Sequence, residues 1–268
     1  MKKVFIILKD LFAHFGIVFR ISKYEDRATY QSHYLGVLWQ ILNPLIQIGI
    51  YYVVFGLATN RGGIGGVSYM AWMLPGISVW FCINNSTLGS SNSIHQKIGM
   101  VSKMKFPVSI LPAVSIMSQM TTFAVMMGIS IVWLLVSEIY PTFYWLQFIY
   151  YFICLVVLLY FCGILNATLT VLVRDYHIAL QSLMRILFYF SGAVWNITGQ
   201  GFPPFVNRAM MLNPFLYIIE GFRDALLSRG YFFEKGSVTL FFWLFVLFVA
   251  ILGSHLHLKF RSKFVDFV

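Results

Sequence analysis

The sequence predicts an all-α membrane protein, and three observations carry the prediction. Hydrophobic residues make up 59% of the 268 and charged residues 10%, with a mean hydropathy of +0.79. A soluble domain is about half apolar and a quarter charged, so most of this chain is built to be solvated by lipid. The apolar residues come in long runs that do not alternate. Backbone crossing a bilayer must close its hydrogen bonds within one helix or around a barrel, and unbroken runs select helices. The basic residues are also unevenly placed: all but five of the 19, Arg61, Arg208, Arg223, Arg229 and Lys235, fall on one set of run ends. An excess of Lys and Arg marks cytoplasmic flanks, so both termini are expected to be cytoplasmic. The net charge of +10 is then mostly topology, and no nucleic-acid partner is needed to explain it.

The elements follow in order. In residues 1–30, Val4, Leu8, Leu11, Phe12, Phe15 and Val18 recur at helical spacing, while Lys9, Asp10, Ala13, His14 and Arg20 fall largely on the other side. That pattern predicts an amphipathic helix lying in the inner interface. Its charge order resembles a signal peptide. However, Lys9, Asp10 and His14 interrupt the apolar part and no small-residue cleavage site follows, so it is expected to stay on the mature protein. Six spans are expected at about 37–58, 69–90, 110–136, 146–173, 182–198 and 238–258. Between the second and third, SNSIHQKIGMVSKMKFPVSILP carries His95, Lys97, Lys103 and Lys105 and is too polar to cross. It reads as a short cytoplasmic helix over 94–105, stopped by Phe106-Pro107. Only the Arg174–His177 turn separates spans four and five. After span five, GFPPFVNRAMMLNPFLYIIEGFRDALLSRG is half apolar but broken by Pro203, Pro204, Asn213-Pro214 and Gly221. It is expected to dip into the outer leaflet as a re-entrant hairpin, with Glu220, Arg223 and Asp224 as an ion-paired cluster. Without repeats or linkers, residues 1–268 read as a single membrane domain.

Several chemistries are missing from the sequence. No GxxxxGK[ST] phosphate loop occurs, so the energy for any active transport must come from another chain. Cys82, Cys154 and Cys162 sit inside apolar runs without ligand spacing and read as small hydrophobes, with no metal site implied. The spans lack the chain of carboxylates that a proton-coupled carrier uses, and no GxSxG elbow is present.

Four segments in this order, LGVLWQILNPL after a basic, tyrosine-bearing lead (Tyr24, Arg27, Tyr30, Tyr34), KFPVSILP, RDYHIALQSLMRILFYFSGAVW and LNPFLYIIEGFRDALL, resemble the permease subunit of the ABC-type exporters that move lipid-linked polysaccharides out of bacteria. Within that family SNSIHQKIGMVSKMKFPVSILP and VRDYHIALQS are most similar to the wall teichoic acid exporters, with O-antigen and capsule exporters next. The resemblance implies a homodimer in the bacterial plasma membrane, paired with two copies of a separate ATPase that binds ATP and Mg; this chain itself would hold no cofactor. It also implies a substrate, an undecaprenyl-diphosphate-linked polymer. The 94–105 helix takes the family's first coupling position, giving His95, Lys97, Lys103, Lys105 and Phe106 a role in ATPase coupling, joined by Arg174 and Asp175 at the turn. An ordinary positive-inside loop and a neutralised turn pair are the plain alternatives.

Such a substrate needs a cationic loading point and a lumen that holds sugars weakly. Arg20, Lys23 and Arg27 are candidates for the lipid diphosphate. Tyr30, Tyr34, Trp39, Asn43, Tyr189 and Trp195 are candidates for the path, since ring faces stack on sugar faces without strongly directional bonds; generic interface anchoring is the alternative for each aromatic. Arg185, two turns into span five, either snorkels to the inner headgroups or faces a wet lumen. Two other classes compete. An intramembrane transferase on lipid-linked sugars would need a catalytic acid or histidine at a span end, where only Asp175, His177 and His33 are placed. A channel or proton-coupled carrier would need the intramembrane acids that are missing.

Overall fold

The computed structural model describes residues 2–31, 33–57, 63–103, 107–173, 175–196, 210 and 212–264. Helices dominate the described residues. Helix α1 (Lys2–Ala13) and α2 (Phe15–Gln31) replace the single amphipathic helix expected. The break is at His14, whose N–H is shared between Asp10 O and Leu11 O and whose Nδ1 lies 2.9 Å from Asp10 O. Ile7, Val18 and Ser22 are buried against the bundle, and Val4, Leu8 and Leu11 pack beside them. Phe12 and Phe15, expected on the apolar face, are exposed; Phe5, Phe12 and Phe19 form an outward apolar row at seven-residue spacing.

Among the described residues, four segments are long and apolar enough to cross a membrane: Trp39–Leu57, Val108–Val136, Phe143–Leu172 and Phe232–Phe260. They coincide with expected spans one, three, four and six. Span one is helix α3 (Trp39–Tyr51), with Pro44 inside it, continued by a widened π turn over Tyr52–Leu57. Span three is α5 (Leu111–Val136), span four α6 (Gln147–Leu172) and span six α9 (Gly236–Phe260), the last entered through a 3-10 turn at Phe232–Lys235.

The other two expected spans look different. Helix α4 (Tyr69–Lys103) runs unbroken for 35 residues, about 52 Å at 1.5 Å per residue. The expected short helix over 94–105 is therefore the far end of span two, because nothing between Ser90 and Lys103 interrupts the helix. Its Ser and Asn residues lower the hydropathy below that of the other spans, but they let neighbours come close. Ser78, Ser90, Ser91 and Ser93 return their hydroxyls to backbone carbonyls three or four residues back. Facing them, Gly163 on α6 lies where an added Cβ would meet Ser90 Oγ at 3.0 Å and Pro112 Cβ at 3.3 Å. Small residues at such junctions allow the close helix contacts on which membrane bundles depend.

Helix α7 (Tyr176–Phe190) has 15 residues, about 22 Å, and stops well short of residue 198. The chain then bends through Ser191 and Gly192, the latter at φ +72°. Helix α8 (Pro214–Leu227) opens with Asn213 accepting from Phe215 N at 3.0 Å and closes with Ser228 in the left-handed conformation. It corresponds to the second arm of the expected hairpin; Pro203, Pro204 and the first arm lie outside the described residues. Most of α8 is buried against α4, α6 and α9.

Candidate functional site: an aromatic groove with one guanidinium

A groove of about 590 Å³ lies between α3, α4 and α7, lined in part by Tyr51, Phe55, Trp80, Phe81, Asn84, Arg185 and Tyr189. Its wall is a continuous set of ring contacts. Tyr51 meets Phe81 and Phe188 edge-on, each at 5.5 Å between centroids, and Trp80 reaches Phe188 at 5.7 Å. Tyr189 lies 6.1 Å from Trp195, which Phe55 contacts at 5.7 Å. Arg185 is exposed, with no ion pair or hydrogen bond to the described residues. Asn84, half-buried, donates to Asn85 Oδ1 at 3.1 Å. The groove thus joins aromatic faces, one amide and one guanidinium, a combination able to hold sugars weakly and attract a phosphate.

Arg185 and Tyr189 line this groove, and Trp195 touches it through Tyr189 and Phe55. Trp39, half-buried, and Asn43, exposed, sit nearer the start of α3, and Tyr34 is fully exposed before it; none of these three lines the groove. The side chain of Tyr30 lies outside the described residues. The contribution of span two, Trp80, Phe81 and Asn84, was missed by sequence reasoning. Its signal was present in the pairing of a polar Asn84-Asn85 with aromatics one turn earlier.

At one end of the bundle, α2 spreads Arg20, Lys23 and Arg27 along a single exposed face. Its acids face inward. Glu25 forms an ion pair with Lys97 on α4, and Asp26 accepts from Ser118 and, at 2.7 Å, from Thr121 on α5. Lys97 is therefore already engaged within the chain, while His95 and Asp175 are exposed. Lys105, Phe106 and Arg174, and the side chain of Lys103, lie outside the described residues. Across from Lys97, His177 Nδ1 is 2.8 Å from Ser91 Oγ and its Nε2 is 3.0 Å from Gln181. These contacts tie the distal half of α4 to both α2 and α7. Near both chain ends, Lys3 meets His255 at 3.2 Å, so α1 and the end of α9 share this side.

At the other end, the expected Glu220, Arg223 and Asp224 cluster is divided. Asp224 pairs with Lys235 instead of Arg223. Arg223 is fully buried, donating to Glu220 at 2.6 Å, Trp72 O at 3.0 Å, Gly192 O at 2.7 Å and Ala193 O at 2.6 Å, with its guanidinium 3.5 Å from the Trp72 ring centroid. Non-helical backbone in an apolar interior is tolerated where its polar groups are satisfied by protein. Arg223 satisfies the bend after α7, helped by Tyr69 Oη donating to Val194 O at 2.7 Å.

A sequence profile described as ABC-2 type transporter matches residues 18–227, from α2 to the end of α8. The O-antigen export system permease protein RfbA of Klebsiella pneumoniae is 24% identical to this chain over 248 residues, 92% of the chain and 93% of the relative. Its namesake from Myxococcus xanthus is 21% identical over 219 residues, 81% and 82% respectively. The inner membrane transport permease YadH of Escherichia coli K12 is 25% identical over 218 residues, 78% and 83% respectively.

Proposed function

We propose a function from one premise: this chain belongs to the ABC-2 type transporter family, whose members work with an ATPase subunit. The chain is the permease of a polysaccharide exporter, forming the membrane passage while a separate ATPase supplies the stroke. The similarity to RfbA supports polysaccharide as cargo. The observation that carries the reading is the groove, with a free guanidinium at the foot of an aromatic wall. In the finer reading the cargo is an undecaprenyl-diphosphate-linked, teichoic-type polymer, two copies of the chain face each other across their first and fifth spans, and two ATPase copies dock on the side holding both termini. That side is cytoplasmic, α1 and α2 lie in the inner interface with Phe5, Phe12 and Phe19 toward lipid, and Arg20, Lys23 and Arg27 meet the lipid diphosphate.

A polymer with a phosphate on each repeat is attracted by one arginine per subunit, whereas a long cationic lining would trap it. Replacing Arg185 by Ala in the reconstituted complex is expected to lower export of a phosphate-bearing polymer by about tenfold, the worth of one hydrogen bond to a charged group. ATPase pairing and basal hydrolysis should be retained, and Arg185→Lys should restore part of the loss. Unimpaired export by Arg185→Ala would overturn the role given to the groove.

A further inference from the structure

We propose that His177 is a positioning residue: through Ser91 it fixes the rotation of α7 against α4 and so holds the Arg185 guanidinium in the groove for a phosphate on the cargo. It rests on the phosphate-bearing cargo read for that groove. The two helices meet antiparallel in one register. On α4, Gly76, Trp80, Asn84 and Ser91 follow at steps of four, four and seven residues; on α7 and just past its end, Gly192, Phe188, Met184 and His177 follow at the same steps in reverse. Such steps keep to one helix face. Arg223 spans the first level, donating to Gly192 O at 2.7 Å from beside Gly76. Trp80 and Phe188 meet at the second, 5.7 Å between centroids. The third is the groove itself, with Asn84 and Met184 in its wall and Arg185 next to Met184. His177 Nδ1 and Ser91 Oγ, 2.8 Å apart, close the fourth. The groove therefore lies between two polar pins.

The protons say what the inner pin can do. The single hydroxyl hydrogen of Ser91 goes to Leu88 O at 2.8 Å, so Ser91 Oγ must accept from Nδ1–H of His177. Nε2 is then the bare nitrogen, and it accepts from the Gln181 amide at 3.0 Å. With both ring nitrogens committed, the imidazole has none left for the acid-base work of a transferase, but it can orient a helix. Arg223 holds the bend beyond the last turn of α7, and the Trp80–Phe188 ring contact is weakly directional, so neither stops α7 from turning about its own axis. A hydrogen bond from a ring nitrogen does, because it weakens steeply off line. A turn of about 20° carries a side-chain head ~5–6 Å from the axis by about 2 Å, which takes it out of hydrogen-bond reach of a bound ligand. Arg185 is the side chain that depends on this, since it is exposed with no ion pair or hydrogen bond to the described residues.

The test uses the complex reconstituted in vesicles, with a phosphate-bearing polymer and an uncharged polysaccharide as cargo. His177→Ala and Ser91→Ala are each expected to lower export of the phosphate-bearing polymer relative to the uncharged one by about fivefold, the worth of one neutral hydrogen bond. His177→Asn, whose amide N–H stands where Nδ1–H stood, should restore the ratio; His177→Gln, whose amide reaches the Nε2 position, should not. In an Arg185→Ala background His177→Ala should change the ratio no further, because the pin acts through the arginine. Spin labels on Gln96→Cys and Ser182→Cys, in a chain lacking Cys82, Cys154 and Cys162, read the seam directly: their distance should broaden with His177→Ala and stay narrow with His177→Asn. Equal loss for both polymers, additive losses with Arg185→Ala, or an unbroadened distance with His177→Ala would overturn the proposal. A ratio unchanged by Arg185→Ala, with the distance broadened by His177→Ala, would instead sink the reading of the groove while upholding the pin.

Discussion

Replacing Gly76 by alanine should damage the protein far more than its chemistry suggests. A Cβ on Gly76 would lie 2.1 Å from Arg223 Nη2, 2.6 Å from Cζ and 2.9 Å from Nε, so the guanidinium would have to withdraw. It has nowhere equivalent to go, because it is fully buried and each of its nitrogens is committed to Glu220 or to a carbonyl of Trp72, Gly192 or Ala193. Stripping partners from a buried charge costs about 3–5 kcal/mol, a shift of roughly a hundred- to several-thousandfold in the unfolding equilibrium. Gly128→Ala on α5 is the control, since nothing lies within 4 Å of its added Cβ. That change should be neutral or stabilising by up to about 1 kcal/mol. The assay is denaturant titration in detergent, supported by heat-induced loss of monodisperse protein. If the clash acts through Arg223, Gly76→Ala should cost little in an Arg223→Leu background. Equal stability of Gly76→Ala and Gly128→Ala would refute the reasoning, as would an undiminished cost in the Arg223→Leu background.

Three further outcomes are expected. Glu25→Lys and Lys97→Glu should each uncouple hydrolysis from export, while the double exchange restores coupling by re-forming the pair; failure of the exchange, with weakened ATPase pairing in Lys97→Glu alone, would favour a docking role for Lys97. Gly221→Ala should destabilise, because its Cβ would stand 2.0 Å from a ring carbon of buried Tyr151, and Tyr151→Leu should relieve most of that cost in a melting experiment. Cysteine at position 185, in a chain lacking Cys82, Cys154 and Cys162, should react with a water-soluble thiol reagent. Protection there, together with normal export by Arg185→Ala, would make Arg185 a snorkelling anchor.

The sequence made the apolar spans legible because four of them are nearly uninterrupted hydrocarbon, and that signal needs no partner to be read. It also separated Arg185, Tyr189 and Trp195 from their surroundings, as a charge or broad aromatic in span five stands out locally. What stayed hidden depends on contacts remote in the chain. Gly76 carries no mark that a guanidinium 147 residues on, from Gly76 to Arg223, needs its space. The charge order of Glu220, Arg223 and Asp224 suggested one cluster, yet Lys235 draws Asp224 away and the carbonyls after α7 claim Arg223. The length of α4 was hidden for a related reason: polarity marks the end of an apolar run, whereas Ser can return its hydroxyl to the backbone carbonyls and let the helix continue through polar sequence.

The length of α4 sets a gearing. Arg223 grips the helix at Trp72 and beside Gly76, which makes that point a fulcrum, and Lys103 lies 27 residues beyond Gly76 while Asn84 lies eight. At 1.5 Å per residue the arms are about 40 Å and about 12 Å. A tilt of about 5° would sweep the far tip by roughly 3.5 Å and the groove wall at Asn84 by roughly 1 Å on the same geometry. A coarse push at one end thereby becomes a fine adjustment where the cargo would slide, with force multiplied about threefold as displacement is divided.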